Sequence, residues 1–201
     1  MNKITILENE KRICVYCASS DKIDEKYLDA ADALGKIFVD NNCTLVYGGG
    51  ARGLMGHIAD AVMRNGGKAI GYIPRFMLEV EWGKTNITEL IEVDDMHERK
   101  KRLIENVDAV VALPGGCGTL DELMEVITLK RLGQFTKPVV ILNQDGFYNA
   151  LVDLFEKMID KKFMRPEHRH IWSVVSDVED VFPAIHNAKP WSAGAIHTAA
   201  V

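Results

Sequence analysis

The sequence predicts an α/β fold: a single domain built on a doubly wound, Rossmann-like parallel sheet with helices on both faces. Two observations predict it. Short runs rich in β-branched residues alternate along the chain with longer amphipathic segments. Several of the short runs also lack the polar alternation of a strand with one face in solvent, which indicates strands buried on both faces. Alternation of this kind favours parallel strands joined by helical crossovers.

The elements follow one another from the N-terminus without an internal repeat or a linker. Strands are predicted at 13–16, 44–47, 69–73, 90–93, 109–113 and 139–142. Amphipathic helices are predicted at 25–41, 54–65, 96–106, 119–132, 148–161 and 178–187. We expect an N-terminal extension at 1–11, a nucleotide-binding catalytic domain at 12–187 and a flexible C-terminal tail at 188–201.

Composition limits the classes of function. The chain has 201 residues, of which 47% are hydrophobic and 26% are charged, enough apolar material for one sizeable core. A net charge of −5 argues against general affinity for nucleic acid or anionic membranes, which needs surplus lysine and arginine. No signal peptide or membrane-length apolar run is evident, so we expect a cytoplasmic protein with mostly reduced thiols.

Metal and redox chemistry have little support in the sequence. Cys14 and Cys17 have a spacing that can serve zinc or redox chemistry, but they lie in an apolar strand and no second close cysteine pair accompanies them. The six histidines form no ligand-like cluster along the chain. We therefore expect buried structural thiols and no metal site.

Three loops after predicted strands carry the chemistry. The first ends in Ser19 and Ser20, the second is GGGARGLMG at 48–56, and the third is PGGCGTLDE at 114–122. Glycines between a strand and a helix let backbone amides approach an anion closely, and the helix start supplies a favourable dipole. Neither glycine loop matches a nucleoside-triphosphate P-loop, and no dinucleotide-binding fingerprint follows the first strand. The sequence predicts a locally held phosphate.

Charged residues near these loops allow two interpretations each. Arg99 and Lys100 belong either to a solvated helix start or to a group that reaches the bound anion. Glu122 follows Thr119 by three residues, so it is either the acid of a helix-capping box or a carboxylate beside a bound phosphosugar. Spacing alone leaves both pairs of alternatives open.

Together these motifs resemble the LONELY GUY (LOG) family of cytokinin riboside 5′-monophosphate phosphoribohydrolases, formerly often labelled lysine decarboxylases. The similarity rests on GGGARGLMG at 48–56, MHERK at 96–100 and PGGCGTLDE at 114–122, and continues through KPV at 137–139 and NQDGFY at 143–148. It covers roughly residues 12–187. Cys117 replaces an aromatic residue common at its position, and Ala18 stands where glycine is frequent.

The resemblance implies hydrolysis of an N6-modified adenosine monophosphate to the free base and ribose 5-phosphate, without a cofactor, by a homo-oligomer. It assigns Arg99 and Glu122 as the catalytic pair. The substrate-holding positions that it implies are Ser19, Ser20, Gly48, Gly49, Gly50, Glu81, Lys100, Gly115, Gly116, Cys117, Gly118, Thr119 and Thr128.

Two alternative functions remain open at this stage. One is a broader nucleosidase that prefers AMP or another purine nucleotide. The other is a non-catalytic nucleotide carrier, because the same loops can bind without reacting. A lysine decarboxylase would need a Schiff-base lysine in a pyridoxal phosphate site, and no motif marks one.

Overall fold

The computed structural model describes residues 10–81 and 83–198. In this part of the chain seven strands form one parallel sheet in the order β4-β3-β2-β1-β5-β6-β7. The predicted doubly wound fold is therefore confirmed. The strands are β1 (Lys11–Tyr16), β2 (Cys43–Tyr47), β3 (Ala69–Pro74), β4 (Glu89–Val93), β5 (Ala109–Ala112), β6 (Val139–Leu142) and β7 (Ser173–Val175).

Helices cover both faces of the sheet and bury two separate cores. Ile13 and Val15 of β1 belong to the first core, whereas Cys14 and Tyr16 belong to the second. Central strands thus bury successive side chains on opposite faces, which explains the missing polar alternation. The helices are α1 (Glu25–Asp40), α2 (Gly53–Arg64), α3 (Arg75–Glu81), α4 (Met96–Ile104), α5 (Cys117–Arg131), α6 (Asn149–Asp160) and α7 (Val181–His186).

Each layer contains a distinct set of helices. α1, α2 and α7 pack on the first face, through residues such as Phe38, Ile58 and Val181. α4, α5 and α6 pack on the second face, with Leu103 and Phe155 among their buried residues. None of the helices described is both long and apolar enough to span a bilayer.

The sequence did not predict two elements. β7 has only three residues and lies at the sheet edge, partly exposed, so it carries a weak hydrophobic pattern. α3 has seven residues, too few for a clear helical period. The helix predicted at 178–187 is instead a 3₁₀ turn (Val178–Asp180) followed by α7.

The described part of the C-terminal segment packs on the end of α5. The indole Nε1 of Trp191 donates a hydrogen bond of 2.6 Å to the carbonyl of Lys130. Gly133 has a positive φ of 73°, and a side chain there would collide with the carbonyl of Ala193. Mobility of this segment and the limits of the domain stay predictions.

The chain order places one topological switch in the sheet. From β1 the chain proceeds outward through β2, β3 and β4, and it then returns to form β5 on the other side of β1. The loops that follow β1 and β5 consequently diverge toward opposite faces and leave a crevice between them. Two of the three loops singled out in the sequence border this crevice.

Lys130 is a buried lysine near the end of α5. Its side chain is only 1% exposed, and burial lowers its pKa to about 8. Since the folded-state pKa lies below the unfolded value of roughly 10.4, the ionised form is disfavoured in the folded protein. This cost is complete below pH 8 and fades as the pH rises toward the unfolded value.

We therefore predict that Lys130→Met raises the free energy of unfolding by about 2 kcal/mol at pH 7, with a smaller gain at pH 10. Urea unfolding at the two pH values measures this. Lys36→Met, which removes an exposed lysine of α1, is the matched control and should change stability little. Destabilisation by Lys130→Met at pH 7 would contradict the argument.

Candidate active site

A cavity of about 290 Å³ opens at the switch point, between the loops that follow β1, β2 and β5. Ligands of open parallel sheets collect at this location, outside the carboxyl ends of the strands. The cavity combines small residues, hydroxyls, one guanidinium and one carboxylate. Its lining consists of Val15, Cys17, Ala18, Ser19, Ser20, Gly48, Met55, Arg99, Gly116, Cys117, Gly118, Thr119 and Glu122.

Backbone hydrogen bonds fix the three loops against one another. The amide of Ala18 donates to the carbonyl of Pro114 at 3.3 Å, and the amide of Met55 donates to the carbonyl of Ala18 at 3.3 Å. The amide of Gly53, whose φ is +56°, donates to the Asp21 carboxylate at 2.7 Å. These hydrogen bonds therefore join the cavity walls to one another.

The N-terminus of α5 forms the anion-binding side of the cavity. Gly116 is the N-cap, so the amides of Cys117, Gly118 and Thr119 have no partner within their own helix. Thr119 is 5% exposed and lines the cavity with its hydroxyl-bearing side chain. Free amides, a buried hydroxyl and the positive end of the helix dipole together favour a phosphate here.

The start of α5 decides between the two interpretations of Glu122. The helix begins at Cys117, so Thr119 is its third residue and is not the N-cap. A capping box between Thr119 and Glu122 requires the threonine at the N-cap and is therefore excluded. Glu122 instead lines the cavity about one helical turn beyond the amides.

Arg99 is buried at the back of the cavity, with 5% of its surface exposed. Its Nε donates to the carbonyl of Tyr72 at 3.1 Å, and Nη2 donates to the carbonyl of Gly48 at 2.9 Å. Nη1 lies 3.9 Å from the sulfurs of Met77 and Met96. Among the described residues no carboxylate pairs with this guanidinium, so its charge is available to an anion in the cavity.

Gly48 is required by this arrangement. A Cβ at position 48 would overlap Nη2 of Arg99 and approach the sulfur of Met55 to 3.1 Å. A larger residue would therefore displace the guanidinium from the glycine-loop carbonyl. The first glycine of the second loop thus serves the close approach of Arg99.

The charge of Glu122 acts on the thiols beneath the cavity. Burial, and after it the negative charge of Glu122, raises the pKa of Cys17, while the Arg99 guanidinium opposes the shift. Burial also raises the pKa of Cys14 well above its ordinary range, again with Glu122 as the next cause. Both thiols are therefore protonated, and they lie in different cores of the sheet. No potential metal site of three or more ligands occurs in the described ranges.

The structure turns Lys100 away from the cavity. Its Nζ lies 3.1 Å from carboxylate oxygens of both Asp121 and Glu125. Burial lowers the pKa of Lys100, but the hydrogen bonds and charges of these two carboxylates outweigh burial, so that the pKa is raised overall. Lys100 joins α4 to α5 and is absent from the cavity lining, which differs from the expected contact with the anion.

Several other expected contacts also lie outside the lining. Thr128 is exposed and donates to the carbonyl of Met124 within α5 at 2.8 Å. Gly49 faces β3 and β4, and Gly50 forms a bridge with Gly83. Gly115 packs against the Thr119 side chain, which leaves no room for a Cβ at position 115. Glu81 is the last residue of α3, and its side chain lies outside the described residues.

Some lining residues escaped sequence analysis. Cys17 was interpreted as a buried structural thiol, and Ala18 was noted only as a departure from the family pattern. Val15 and Met55 carry no reactive group that would have marked them, although Met55 lies within the glycine motif at 48–56. Tyr72, which anchors Arg99, contributes only its backbone carbonyl. Because every residue type has a backbone carbonyl, the sequence could not predict this contact.

Comparisons with known proteins show the family of the chain. The profile of a family described as "Possible lysine decarboxylase" matches residues 55–185. The cytokinin riboside 5′-monophosphate phosphoribohydrolase LOG5 of Arabidopsis thaliana is 42% identical over 92% of this chain and 82% of its own length. The phosphoribohydrolase LOG1 of the same plant is 42% identical over 90% of both chains.

A solved structure of lower identity supports the fold alone. The molybdenum cofactor carrier protein of Chlamydomonas reinhardtii superposes with a TM-score of 0.65 at 21% identity, covering 90% of this chain and 98% of its own.

The first turn of α5 provides a test of the anion site. A Cβ at Gly118 would meet no protein atom within 4 Å, so Gly118→Ala should keep the fold and gain up to about 1 kcal/mol of stability from helix propensity. The added methyl group would project into the space where a phosphate approaches. We predict an affinity for AMP at least about tenfold lower, measured by calorimetric titration beside thermal unfolding.

Gly194→Ala is the control, because the added Cβ meets only the Ser192 hydroxyl, at 3.4 Å, and lies far from the cavity in the C-terminal segment. Unchanged AMP affinity in Gly118→Ala would contradict a phosphate site at this helix start.

Proposed function

The chain belongs to the LOG family of phosphoribohydrolases, as its motifs indicated, and we propose that it hydrolyses the N-glycosidic bond of an N6-modified adenosine 5′-monophosphate. The proposal rests on the position of the Glu122 carboxylate. It lies one helical turn beyond the start of α5, whose amides favour a phosphate. The products are the free base and ribose 5-phosphate. Water supplies the hydroxyl to C1′ and the proton to the base.

The 5′-phosphate would bind at the start of α5. Amides of Cys117, Gly118 and Thr119 and the Thr119 hydroxyl supply the donors, and the helix dipole favours the dianion. Ser19 and Ser20 on the facing loop offer further hydroxyls. Binding energy from this remote group then orients the sugar, so that the breaking bond is held in place.

Glu122 would act at the reacting carbon. As the bond between C1′ and N9 lengthens, positive charge grows on the ribose ring and negative charge on the base. A carboxylate about 5 Å along the helix axis from the phosphate donors is placed to stabilise the ring and to orient the attacking water.

Arg99 would offset negative charge without moving. Two of its nitrogens are held by the carbonyls of Gly48 and Tyr72, and its charge has no carboxylate partner among the described residues. A fixed, desolvated guanidinium stabilises charge that develops in the transition state at no cost in reorganisation. We assign Arg99 this electrostatic role toward the phosphate and the departing base.

The lysine decarboxylase label does not fit the cavity. Such an enzyme forms a Schiff base between a lysine and pyridoxal phosphate. None of the described residues that line the cavity is a lysine, and Lys100 is paired with Asp121 and Glu125. The lining supports a nucleotide phosphate and offers no amine for that cofactor.

The proposal also includes self-association and a cytoplasmic location. We expect self-association because of the family resemblance, and the exposed side chains of Phe163 (72%) and Phe76 (60%) are candidate contacts. A cytoplasmic location is supported by free, mostly buried cysteines, since disulfides are typical of oxidising compartments. The net charge of −5 argues against general binding of nucleic acid.

Release of free base from AMP and from N6-isopentenyl-AMP tests the function. We predict faster release from the modified nucleotide, and a fall in kcat of at least about a hundredfold in Glu122→Gln, because the amide cannot stabilise positive charge. Asp121→Asn is the matched control on the same helix, since its carboxylate faces Lys100 and is absent from the cavity lining.

Nucleotide binding without any release would favour a carrier. Equal or faster release from AMP would favour the broader nucleosidase. Full activity in folded Glu122→Gln would remove the proposed role of the carboxylate.

A further inference from the structure

The four cysteines of the protein differ sharply in their surroundings. Cys14, Cys17 and Cys43 are buried, and burial raises the pKa of each thiol. Cys117 alone is exposed. A disulfide reagent acting on the folded protein therefore meets one accessible thiol.

That thiol stands at the mouth of the phosphate site. Cys117 is the first residue of α5 and lines the cavity. Its neighbours Gly116 and Gly118 have no side chains, and a Cβ at either would meet nothing within 4 Å. The two flanking glycines therefore leave open space beside Cys117.

Two buried polar side chains of this cavity favour an anion. Thr119 is 95% buried and lines the cavity. Arg99 is equally buried, lines the same cavity and has no carboxylate partner in the described part of the chain. A negatively charged reagent would consequently concentrate beside Cys117.

We propose that Cys117 is a modification site at which small anionic disulfides block the phosphate pocket. The Cys117 thiolate attacks one sulfur of the disulfide, a new sulfur–sulfur bond forms, and the other half of the reagent leaves as a thiolate. No external oxidant is needed, and a free thiol reverses the step. The attached anionic group then occupies the space of the 5′-phosphate, an outcome that rests on the proposed function of this cavity.

The charge of the reagent distinguishes this proposal from simple exposure. An exposed cysteine on a neutral surface reacts with anionic and cationic disulfides according to their intrinsic reactivity. Beside Arg99 and the start of α5, reaction of Cys117 with the anionic disulfide is favoured and reaction with the cationic disulfide is disfavoured. Inorganic phosphate competes for the same donors and protects the thiol.

The test is labelling of the native protein with 5,5′-dithiobis(2-nitrobenzoate), an aromatic disulfide that carries two carboxylates. We expect one fast-reacting thiol per chain, mapped to Cys117 by peptide mass analysis of the wild type. Saturating inorganic phosphate, compared with chloride at equal ionic strength, should slow the labelling of Cys117 at least about tenfold. Cystamine, a cationic disulfide, should lack this protection by phosphate.

Cys117→Ser should lose the fast phase, whereas Cys43→Ser, a buried-cysteine control, should keep it. A fast phase that maps to another cysteine, or one that phosphate leaves unchanged, would overturn the proposal. These labelling results do not depend on any hydrolytic activity, so they stand apart from a failure of the proposed function.

Activity provides the second half of the test. The labelled wild type should lose at least about nine-tenths of its base release and recover it with dithiothreitol. Whatever activity Cys117→Ser has should be insensitive to the reagent. Complete labelling of Cys117 with unchanged base release would overturn the blocking while leaving the phosphoribohydrolase function intact.

Discussion

The organisation of the site depends on a buried guanidinium that lacks a carboxylate partner in the described part of the chain. Arg99 on α4 donates to the carbonyls of Gly48 after β2 and Tyr72 in β3, so one side chain ties a helix to two strands. Burying a cation is costly unless hydrogen bonds and an opposite charge compensate it. Two carbonyls accept hydrogen bonds from the guanidinium, and the opposite charge is left for a ligand.

This constraint explains the neighbouring residues. Position 48 must be glycine because any Cβ would overlap the guanidinium, and the thioethers of Met77 and Met96 surround the charge without neutralising it. On the facing wall, the α5 amides add a second positive field at the switch point between β1 and β5. Glu122 lines the same cavity as Arg99 and the first residues of α5.

Sequence patterns predicted six of the seven strands and the two glycine loops, because these depend on local propensity and period. They could not locate the start of α5, and so left open whether Glu122 caps the helix; the N-cap at Gly116 decides this. Lys100 was expected at the anion because its helix follows a strand that ends at the same rim of the sheet, and because the family resemblance implied it. Its orientation depends on Asp121 and Glu125, carboxylates of another helix that only the tertiary fold brings near.

The central claim is that the 5′-phosphate, held at the start of α5, places the sugar at Glu122. The most direct measurement compares kcat/KM for base release from N6-isopentenyl-AMP and from the same nucleoside without its phosphate. If remote binding energy orients the breaking bond, removal of the phosphate lowers kcat/KM by at least about a thousandfold, or roughly 4 kcal/mol of transition-state stabilisation. Comparable values for the two substrates would contradict the account.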